Sequence, residues 1–289
     1  MRFLSSFILI AAACTMLQVH GAQLELLAGA KPASVFSGAN RTISLVLHNV
    51  GSQGFDHPIR ARIFQTSSAM AVPVGEAPWK ELQVLPEQTV LESAQLDFPA
   101  VEAETRFLVQ WLDETNQVIG VTSVLVYPTN LLQTLQPLLC ETNFGVLDPG
   151  NQLKPLLKAQ GISFVDLDEM GLDGFSGQLA VIGPFKSKAQ IPDDLTYEVK
   201  ELAKRNVAVV WIQPPQPSLP PSLDWERHVI QPSYYCVQKN QTPVVVVQPD
   251  LVSDLTENPQ SQIALIYFCH LALKPQPAVL PDLSQNVVP

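Results

Sequence analysis

The stretch from Gly177 to Pro215 constrains the fold of this 289-residue chain more than any other part of it. Two short apolar runs, Leu179–Ile182 and Val207–Ile212, are typical of strands that are covered on both faces. Between the runs, apolar residues recur at a spacing that places them on one helical face: Leu195, Val199, Leu202 and Ala203. The pattern therefore predicts two parallel strands that are joined by a helical crossover.

The alternation of strands and helices extends over the whole chain after Pro128. Beyond the first stretch, the predicted strands are Phe144–Leu147, Ser163–Leu167, Tyr234–Gln238 and Val244–Val247, and the predicted helices are a segment after Thr129, Gln152–Gln160 and Gln260–Leu273. Such alternation is typical of a doubly wound sheet. We therefore predict a C-terminal α/β domain with a mostly parallel, doubly wound sheet at residues 129–274, followed by a flexible tail at residues 275–289.

The residues before Pro128 have a different periodicity. Apolar and polar residues alternate in seven or eight short segments, of which Arg41–Asn49 and Ile59–Gln65 are clear examples, and turn-forming residues separate them. We therefore predict an N-terminal all-β immunoglobulin-like sandwich at residues 22–128. The segment Leu47-His48-Asn49-Val50-Gly51 resembles the end of strand B in Ig-like adhesion and accessory modules of bacteria.

The first 21 residues have the features of an export signal. Arg2 supplies a minimal positive region, and Phe3–Leu17 is a largely apolar segment that is too short to span a bilayer comfortably. The sequence Val19-His20-Gly21 favours cleavage before Ala22. We therefore predict a signal peptide at residues 1–21 and an exported protein, periplasmic or secreted, with no transmembrane span in the mature chain. An uncleaved N-terminal anchor and lipid attachment at Cys14 are the alternatives.

Charge and composition bear on the partners that can be expected. The formal net charge is −10, and the Lys and Arg residues form no cluster along the sequence. Nucleic acids and anionic membrane surfaces both require basic patches, so neither is expected to bind. The remaining candidates are a protein or a carbohydrate partner at the cell envelope.

The strand before Gln213 carries a resemblance to an enzyme family. Its sequence, Asn206-Val207-Ala208-Val209-Val210-Trp211-Ile212, resembles the strand that leads to the nucleophile elbow of class I glutamine amidotransferases. The order of a β-sandwich followed by a flavodoxin-like sheet is similar to that of exported bacterial proteins with such a domain. The family places a Cys after this strand, in a Gly-x-Cys-x-Gly turn, with a His and Glu pair downstream. This chain has Gln213-Pro214-Pro215 instead, and Gln cannot act as a nucleophile. The resemblance therefore implies a degenerate amidotransferase-like domain.

A ligand site is expected where the parallel strands end, because open α/β sheets bind ligands beyond the carboxyl ends of their strands. In the predicted sheet these ends are Asp148, Asp168, Lys186 and Gln213. Asp148 and Lys186 have opposite charges. We therefore predict ligand binding by Asp148, Lys186 and Gln213, and we assign no catalytic residue. A solvated loop is the alternative interpretation of Lys186.

A group of carboxylates follows the predicted strand Ser163–Leu167: Asp166, Asp168, Glu169 and Asp173. Paired carboxylates at such a place can bind a cation or perform acid–base chemistry. Ordinary turn formation is the alternative, because Asp is favoured in loops. The sequence holds no glycine motif of dinucleotide sites and no C-x-x-C pair, so we predict neither a cofactor nor a metal.

One cysteine and one histidine are predicted to be structural. Cys269 lies in the apolar segment Ile263–Leu273 and is predicted to be a buried thiol, with a disulfide between Cys236 and Cys269 as the alternative. His270 lies in an apolar helical segment and is predicted to be a hydrogen-bonded core histidine.

These observations favour two functions of different classes. The first hypothesis is a non-catalytic interaction or binding protein that is exported to the cell envelope. The alternative is a hydrolase that uses carboxylates at the C-terminal edge of the α/β sheet, with Asp148 or the Asp166–Asp173 group as base. A carboxylate with a raised pKa in an apolar cleft would favour the enzyme.

Overall fold

The computed structural model describes residues 23–27, 29, 31–139, 143–212, 225–230, 233–238 and 244–273. Several predictions made from the sequence lie outside these residues: the signal peptide and its cleavage site, Cys14, the elbow segment Gln213–Pro215, and the tail at 275–289. The described residues form mainly β structure in three sheets, with some helices. None of the described helices combines the length and apolar character that crossing a bilayer requires.

Two of the sheets are formed by residues 24–127 and pack around a common core. Their strands are β1 Leu24–Leu27, β2 Ala33–Phe36, β3 Gly38–Asn49, β4 Phe55–Thr66, β5 Ala71–Val84, β6 Thr89–Phe98, β7 Thr105–Leu112 and β8 Val118–Tyr127. One sheet has the order β1-β3-β6 and the other the order β2-β8-β7-β4-β5. Strands β2 and β8 pair in parallel, and the other neighbours are antiparallel. We call these residues the sandwich.

The alternation in the sequence explains how the sandwich core forms. Ile43, Leu45 and Leu47 of β3 are buried, and they pack with inward-facing residues of the other sheet, such as Ile59 of β4 and Trp111 of β7. The indole N–H of Trp111 donates a hydrogen bond of 2.9 Å to the Thr122 hydroxyl, so its burial leaves no donor unpaired. Burying side chains of this size stabilises the fold by about 1.5–3 kcal/mol each.

The third sheet has seven strands and is formed by residues 144–247. Its strands are β9 Phe144–Leu147, β10 Val165–Asp166, β11 Leu179–Ile182, β12 Ala208–Ile212, β13 Trp225–Ile230, β14 Ser233–Gln238 and β15 Val244–Val247, in the order β10-β9-β11-β12-β15-β14-β13. The first five strands in this order are parallel, whereas β14 and β13 form an antiparallel edge. We call residues 131–273, which contain this sheet and its helices, the α/β part.

Helices cover both faces of the seven-stranded sheet. They are α1 Gln136–Leu139, α2 Lys154–Ala159, α3 Leu167–Met170, α4 Leu195–Lys204 and α5 Pro259–Leu273, with shorter 3-10 turns at Leu131–Leu135, Lys188–Gln190 and Pro249–Val252. In β11, Leu179 and Val181 pack with α2 and α5, whereas Ala180 and Ile182 pack with α4 on the opposite face. This two-sided burial explains why the strands are continuous apolar runs in the sequence.

The predicted strand–helix–strand unit is confirmed, although its second strand begins at Ala208 rather than at Val207. Leu179 lies opposite Ala208 in the parallel ladder of β11 and β12, and α4 is the crossover between these strands. All four predicted face residues of α4 are buried: Leu195, Val199, Leu202 and Ala203.

Some predictions made from the sequence were wrong. The predicted strand Ser163–Leu167 is reduced to β10, because Asp166 accepts a hydrogen bond from the Asp168 N–H and starts α3. His270 is exposed rather than part of the core. The prediction of a buried thiol at Cys269 is confirmed, and Cys236 is also buried and free.

Candidate functional site

The carboxyl ends of three neighbouring parallel strands meet at one edge of the α/β part. Val146 of β9 lies opposite Asp166 of β10, and Leu147 of β9 lies opposite Ile182 of β11. The segments that follow these strands therefore start side by side. This is the edge at which the sequence predicted a ligand site.

Asp148 follows β9 directly and is 2% exposed. Its Oδ2 accepts hydrogen bonds from the backbone N–H groups of Leu153 (2.7 Å) and Lys154 (3.0 Å), at the start of α2. Its own N–H donates to Oδ2 of Asp168 at 2.9 Å. Asp148 thus closes the turn between β9 and α2. Its Oδ1 is buried and has no hydrogen-bond partner within the described part of the chain.

Lys154 is the central cation of this edge, although no sequence pattern singled it out. The residue is 7% exposed, although it lies in the first turn of α2. Its ammonium group donates hydrogen bonds to Oδ1 of Asp166 and, at 2.5 Å, to Oδ2 of Asp168. We call Asp148, Lys154, Asp166 and Asp168 the edge cluster.

The interactions of the edge cluster favour the charged forms of Lys154 and Asp166. Burial of Lys154 disfavours its ammonium form, but the hydrogen bonds to Asp166 and Asp168 outweigh this effect and raise the pKa of Lys154. Burial also disfavours the Asp166 carboxylate, but the Lys154 ammonium and the Asp168 N–H outweigh it and lower the pKa of Asp166. A general base works best with a pKa near the working pH, and Asp166 is shifted away from that range.

These shifts predict how the edge cluster contributes to stability as the pH changes. The contribution of Asp166 is present above the ordinary aspartate pKa of 3.8 and is lost as the pH falls through its lower folded value. The contribution of Lys154 is present below the ordinary lysine pKa of 10.5 and is lost as the pH rises through its higher folded value. Urea unfolding between pH 2.5 and 6 should therefore show a steeper acid loss of stability for the wild type than for Asp166→Asn. Parallel curves for the two proteins would contradict this assignment.

The structure places the three predicted ligand-binding residues differently. Lys186 is exposed, and its backbone N–H donates to Oε1 of Gln190 at 2.7 Å. Among the residues that are described, Asp148 and Lys186 form no ion pair, because the Asp148 Oδ2 is turned towards α2. A Cβ on Gly150 would lie 3.4 Å from Cγ of Lys186, so the two loops do approach each other. Gln213 lies outside the described residues, and ligand binding by Asp148, Lys186 and Gln213 stays a prediction.

The predicted carboxylate group splits into two parts. Asp166 and Asp168 belong to the edge cluster, whereas Glu169 and Asp173 are exposed. The turn around Asp173 is held by Arg205, whose guanidinium donates to the backbone oxygens of Leu172, Asp173 and Phe175 at 2.9, 2.7 and 3.0 Å. Within the ranges that the structure covers, no group of three His, Cys, Asp or Glu side chains is placed to hold a metal ion.

A second concave surface lies where the sandwich meets the α/β part. Its volume is about 470 Å³, and it opens to solvent between the segment before β7 and the helical turns that precede β9. The lining is rich in carboxyl, amide and hydroxyl groups and contains no basic residue: Glu102, Pro128, Asn130, Leu131, Gln133, Thr134, Gln136 and Pro137. We call this surface the junction cleft.

Comparison with known proteins identifies no family. No family model matches the chain, and no curated protein is detectably similar to it. A β-glucosidase from Listeria innocua in complex with glucose aligns with 37% of this chain at 13% identity and a TM-score of 0.27. A Niemann-Pick type C2 protein from the Japanese carpenter ant aligns with 38% of this chain at 10% identity and a TM-score of 0.27. The chain covers 16% of the glucosidase and 93% of the ant protein. Similarity at this level supports no conclusion about function.

Proposed function

We propose that the protein is a non-catalytic interaction or binding protein that is exported to the cell envelope. The observation that carries this proposal is that the charged groups of the edge cluster are bound to one another or to the backbone. Lys154 pairs with Asp166 and Asp168, and Asp148 binds backbone N–H groups. A hydrolase would need a carboxylate that is both accessible to substrate and poised to exchange a proton near neutral pH.

The strand orders support the domain assignment that we propose with this function. In the sandwich, β3 and β6 share one sheet and β4, β7 and β8 share the other, as strands B and E and strands C, F and G do in immunoglobulin-type sandwiches. In the α/β part, the order β10-β9-β11-β12-β15 corresponds to the flavodoxin-like order 2-1-3-4-5. We therefore propose an Ig-like sandwich at residues 22–128 and an amidotransferase-like domain at residues 129–274.

A protein or a carbohydrate is the partner that we propose. The junction cleft has amide and carboxylate groups for hydrogen bonding, and Leu131 and its prolines supply apolar contact area. It contains no cation, so an anionic ligand would be disfavoured. Clefts between structural units are common ligand sites.

A hydrolase remains the second candidate because of one observation. Oδ1 of Asp148 has no hydrogen-bond partner among the described residues, so one carboxylate oxygen at the sheet edge is not committed to another group. Its burial opposes this function, because a substrate must reach the oxygen for the group to act as a base.

A substrate screen with matched variants separates the two functions. We expect purified mature protein to hydrolyse no ester, glycoside, peptide or glutamine substrate above background, because Asp148 is buried and Asp166 and Asp168 are both paired with Lys154. Asp148→Asn and Asp166→Asn test the cluster, and Asp173→Asn, at an exposed carboxylate, is the control. A turnover that disappears in Asp148→Asn but persists in Asp173→Asn would establish the hydrolase instead. In the same preparations, cosedimentation with cell-wall polysaccharide and envelope fractions tests binding, which we expect Asp148→Asn to retain.

A further inference from the structure

The sandwich and the α/β part are joined by a very short connection. Strand β8 ends at Tyr127, whose carbonyl accepts a hydrogen bond of 2.8 Å from the Ser37 N–H. The 3-10 turn Leu131–Leu135 follows, and its Leu132 is completely buried in the core of the α/β part. Between these two anchors, the carbonyl of Thr129 accepts a hydrogen bond of 3.1 Å from the Gln160 side chain. The backbone of the connection is therefore held at both ends and between them.

Helix α5 makes the main contact between the two parts. Ile263 of α5 packs against a small apolar cluster of the sandwich that contains Phe36, Leu125 and Tyr127. The same helix contributes Phe268 and Ala264 to the core of the α/β part, where both are fully buried. One rigid helix thus belongs to the α/β core and also contacts the sandwich.

A chain of buried and partly buried hydrogen bonds accompanies the apolar contact. Gln260 of α5 is 4% exposed, and its Nε2 donates to the Ser34 hydroxyl at 3.1 Å and to the Tyr127 hydroxyl at 3.0 Å. The Tyr127 hydroxyl in turn donates to Oε2 of Glu104 at 2.9 Å. Burial and the neighbouring Glu104 carboxylate raise the pKa of Tyr127, which keeps its hydroxyl a donor.

Directional hydrogen bonds of this kind restrict relative orientation more than apolar contact alone does. A hydroxyl that accepts from one part and donates within the other keeps both bonds only in a narrow range of geometries. The ion pair of Arg41 with Glu257, at 3.6 Å, adds little because the Glu257 side chain is 76% exposed. Orientation is therefore set by the buried groups, not by surface charge.

We propose that these groups form a rigid joint, so that the sandwich and the α/β part keep one fixed orientation and unfold as a single cooperative unit. The joint consists of Ser34, Phe36, Glu104, Leu125, Tyr127, Gln260 and Ile263. It has a consequence for the junction cleft, whose lining comes from both sides of the connection. A rigid joint keeps this cleft at one width, and residues 128–130 do not act as a hinge.

The first test measures the orientation and the cooperativity of the wild-type fold. Spin labels at Ser93→Cys and Met170→Cys, both exposed positions, report the distance between the two parts. The doubly labelled protein also carries Cys140→Ser, which removes a thiol that could compete for the label, whereas Cys236 and Cys269 are buried. We expect one narrow distance distribution and one calorimetric transition with equal calorimetric and van 't Hoff enthalpies. A broad distribution, or two separate transitions, would overturn the proposal.

The second test removes single groups of the joint. Tyr127→Phe deletes only the shared hydroxyl, and Gln260→Met deletes only the amide at similar length. We expect each to lower the unfolding midpoint by roughly 3–8 °C and to broaden the distance distribution. Tyr197→Phe, the same change at an exposed tyrosine, should leave both readouts unchanged. Midpoints and distance distributions that stay at the wild-type values in both joint variants would refute the role of the hydrogen bonds.

Discussion

Replacing Lys154 with Met should lower the free energy of unfolding by about 2–4 kcal/mol. Met keeps the length and the apolar stem of the side chain, so the change removes little more than the ammonium group. Asp166 and Asp168 then lose the counter-charge that they share, and their side chains are only 27% exposed. Like-charge repulsion and incomplete solvation both act against the fold in this variant.

Urea unfolding followed by circular dichroism measures the loss. Lys204→Met is the matched control, because Lys204 also pairs with a carboxylate, Glu201, but its side chain is 67% exposed. Such surface pairs contribute little, so the control should unfold at the wild-type midpoint. Adding Asp166→Asn to Lys154→Met should restore part of the stability, because it removes one of the two carboxylates that have lost their ion-pair partner. If Lys154→Met alone matched the wild type, Lys154 would not be the buried counter-charge that the geometry indicates.

The sequence predicted the edge of the sheet but not the residue at its centre. Asp148 and Lys186 were paired because each follows a strand, and strand ends are readable from apolar runs. Lys154 follows Asp148 by six positions and lies on a helix, where a lysine usually extends into solvent. Its burial results from the approach of β10 and α3, which bring Asp166 and Asp168 to it. No local sequence pattern predicts that these segments come together in the fold.

Secondary structure was predictable where the apolar residues of a segment recur with a single period. The face of α4 and the buried strands β9, β11 and β15 were identified with their correct residues, because both faces of each strand are covered. Strand β13, Trp225–Ile230, was missed. It is an edge strand, paired on one side by β14, and its sequence Trp-Glu-Arg-His-Val-Ile lacks an apolar run. Edge strands leave a weaker signal because less of their surface is buried.

The joint illustrates a further limit of sequence patterns. Gln260 and Tyr127 are separated by 133 positions, and neither belongs to a motif. Gln260 opens an apolar helix, where a polar residue is expected to be a solvated helix start. Its hydrogen bonds exist only because α5 packs against β2 and β8 of the sandwich. Contacts between distant segments of this kind require the tertiary structure.

Gly177→Ala should destabilise the fold by about 3 kcal/mol, because the position before β11 has no room for a methyl group. A Cβ at Gly177 would lie 2.1 Å from the carbonyl oxygen of Asn143 and 2.2 Å from Cζ of Phe175. The carbonyl cannot move freely, since it accepts a hydrogen bond of 3.0 Å from the Gln178 N–H. Phe175 is equally fixed, being 2% exposed and packed in the core under α4. Relief of the contact with the Asn143 carbonyl therefore requires a shift of β9 against β11.

Gly75→Ala is the control for Gly177→Ala, because a Cβ at Gly75 meets no atom within 4 Å. This change should be neutral or slightly stabilising, since it reduces the entropy of the unfolded chain. Urea midpoints of the two variants give the comparison. The double variant Gly177→Ala/Phe175→Leu separates the two clashes. Leu at position 175 removes the clash with the ring but leaves the clash with the Asn143 carbonyl. The double variant should therefore regain part of the stability that Gly177→Ala loses. Equal midpoints for Gly177→Ala and Gly75→Ala would mean that β9 and β11 can separate at little cost. The strand ends that carry the edge cluster would then be less firmly placed than their register indicates.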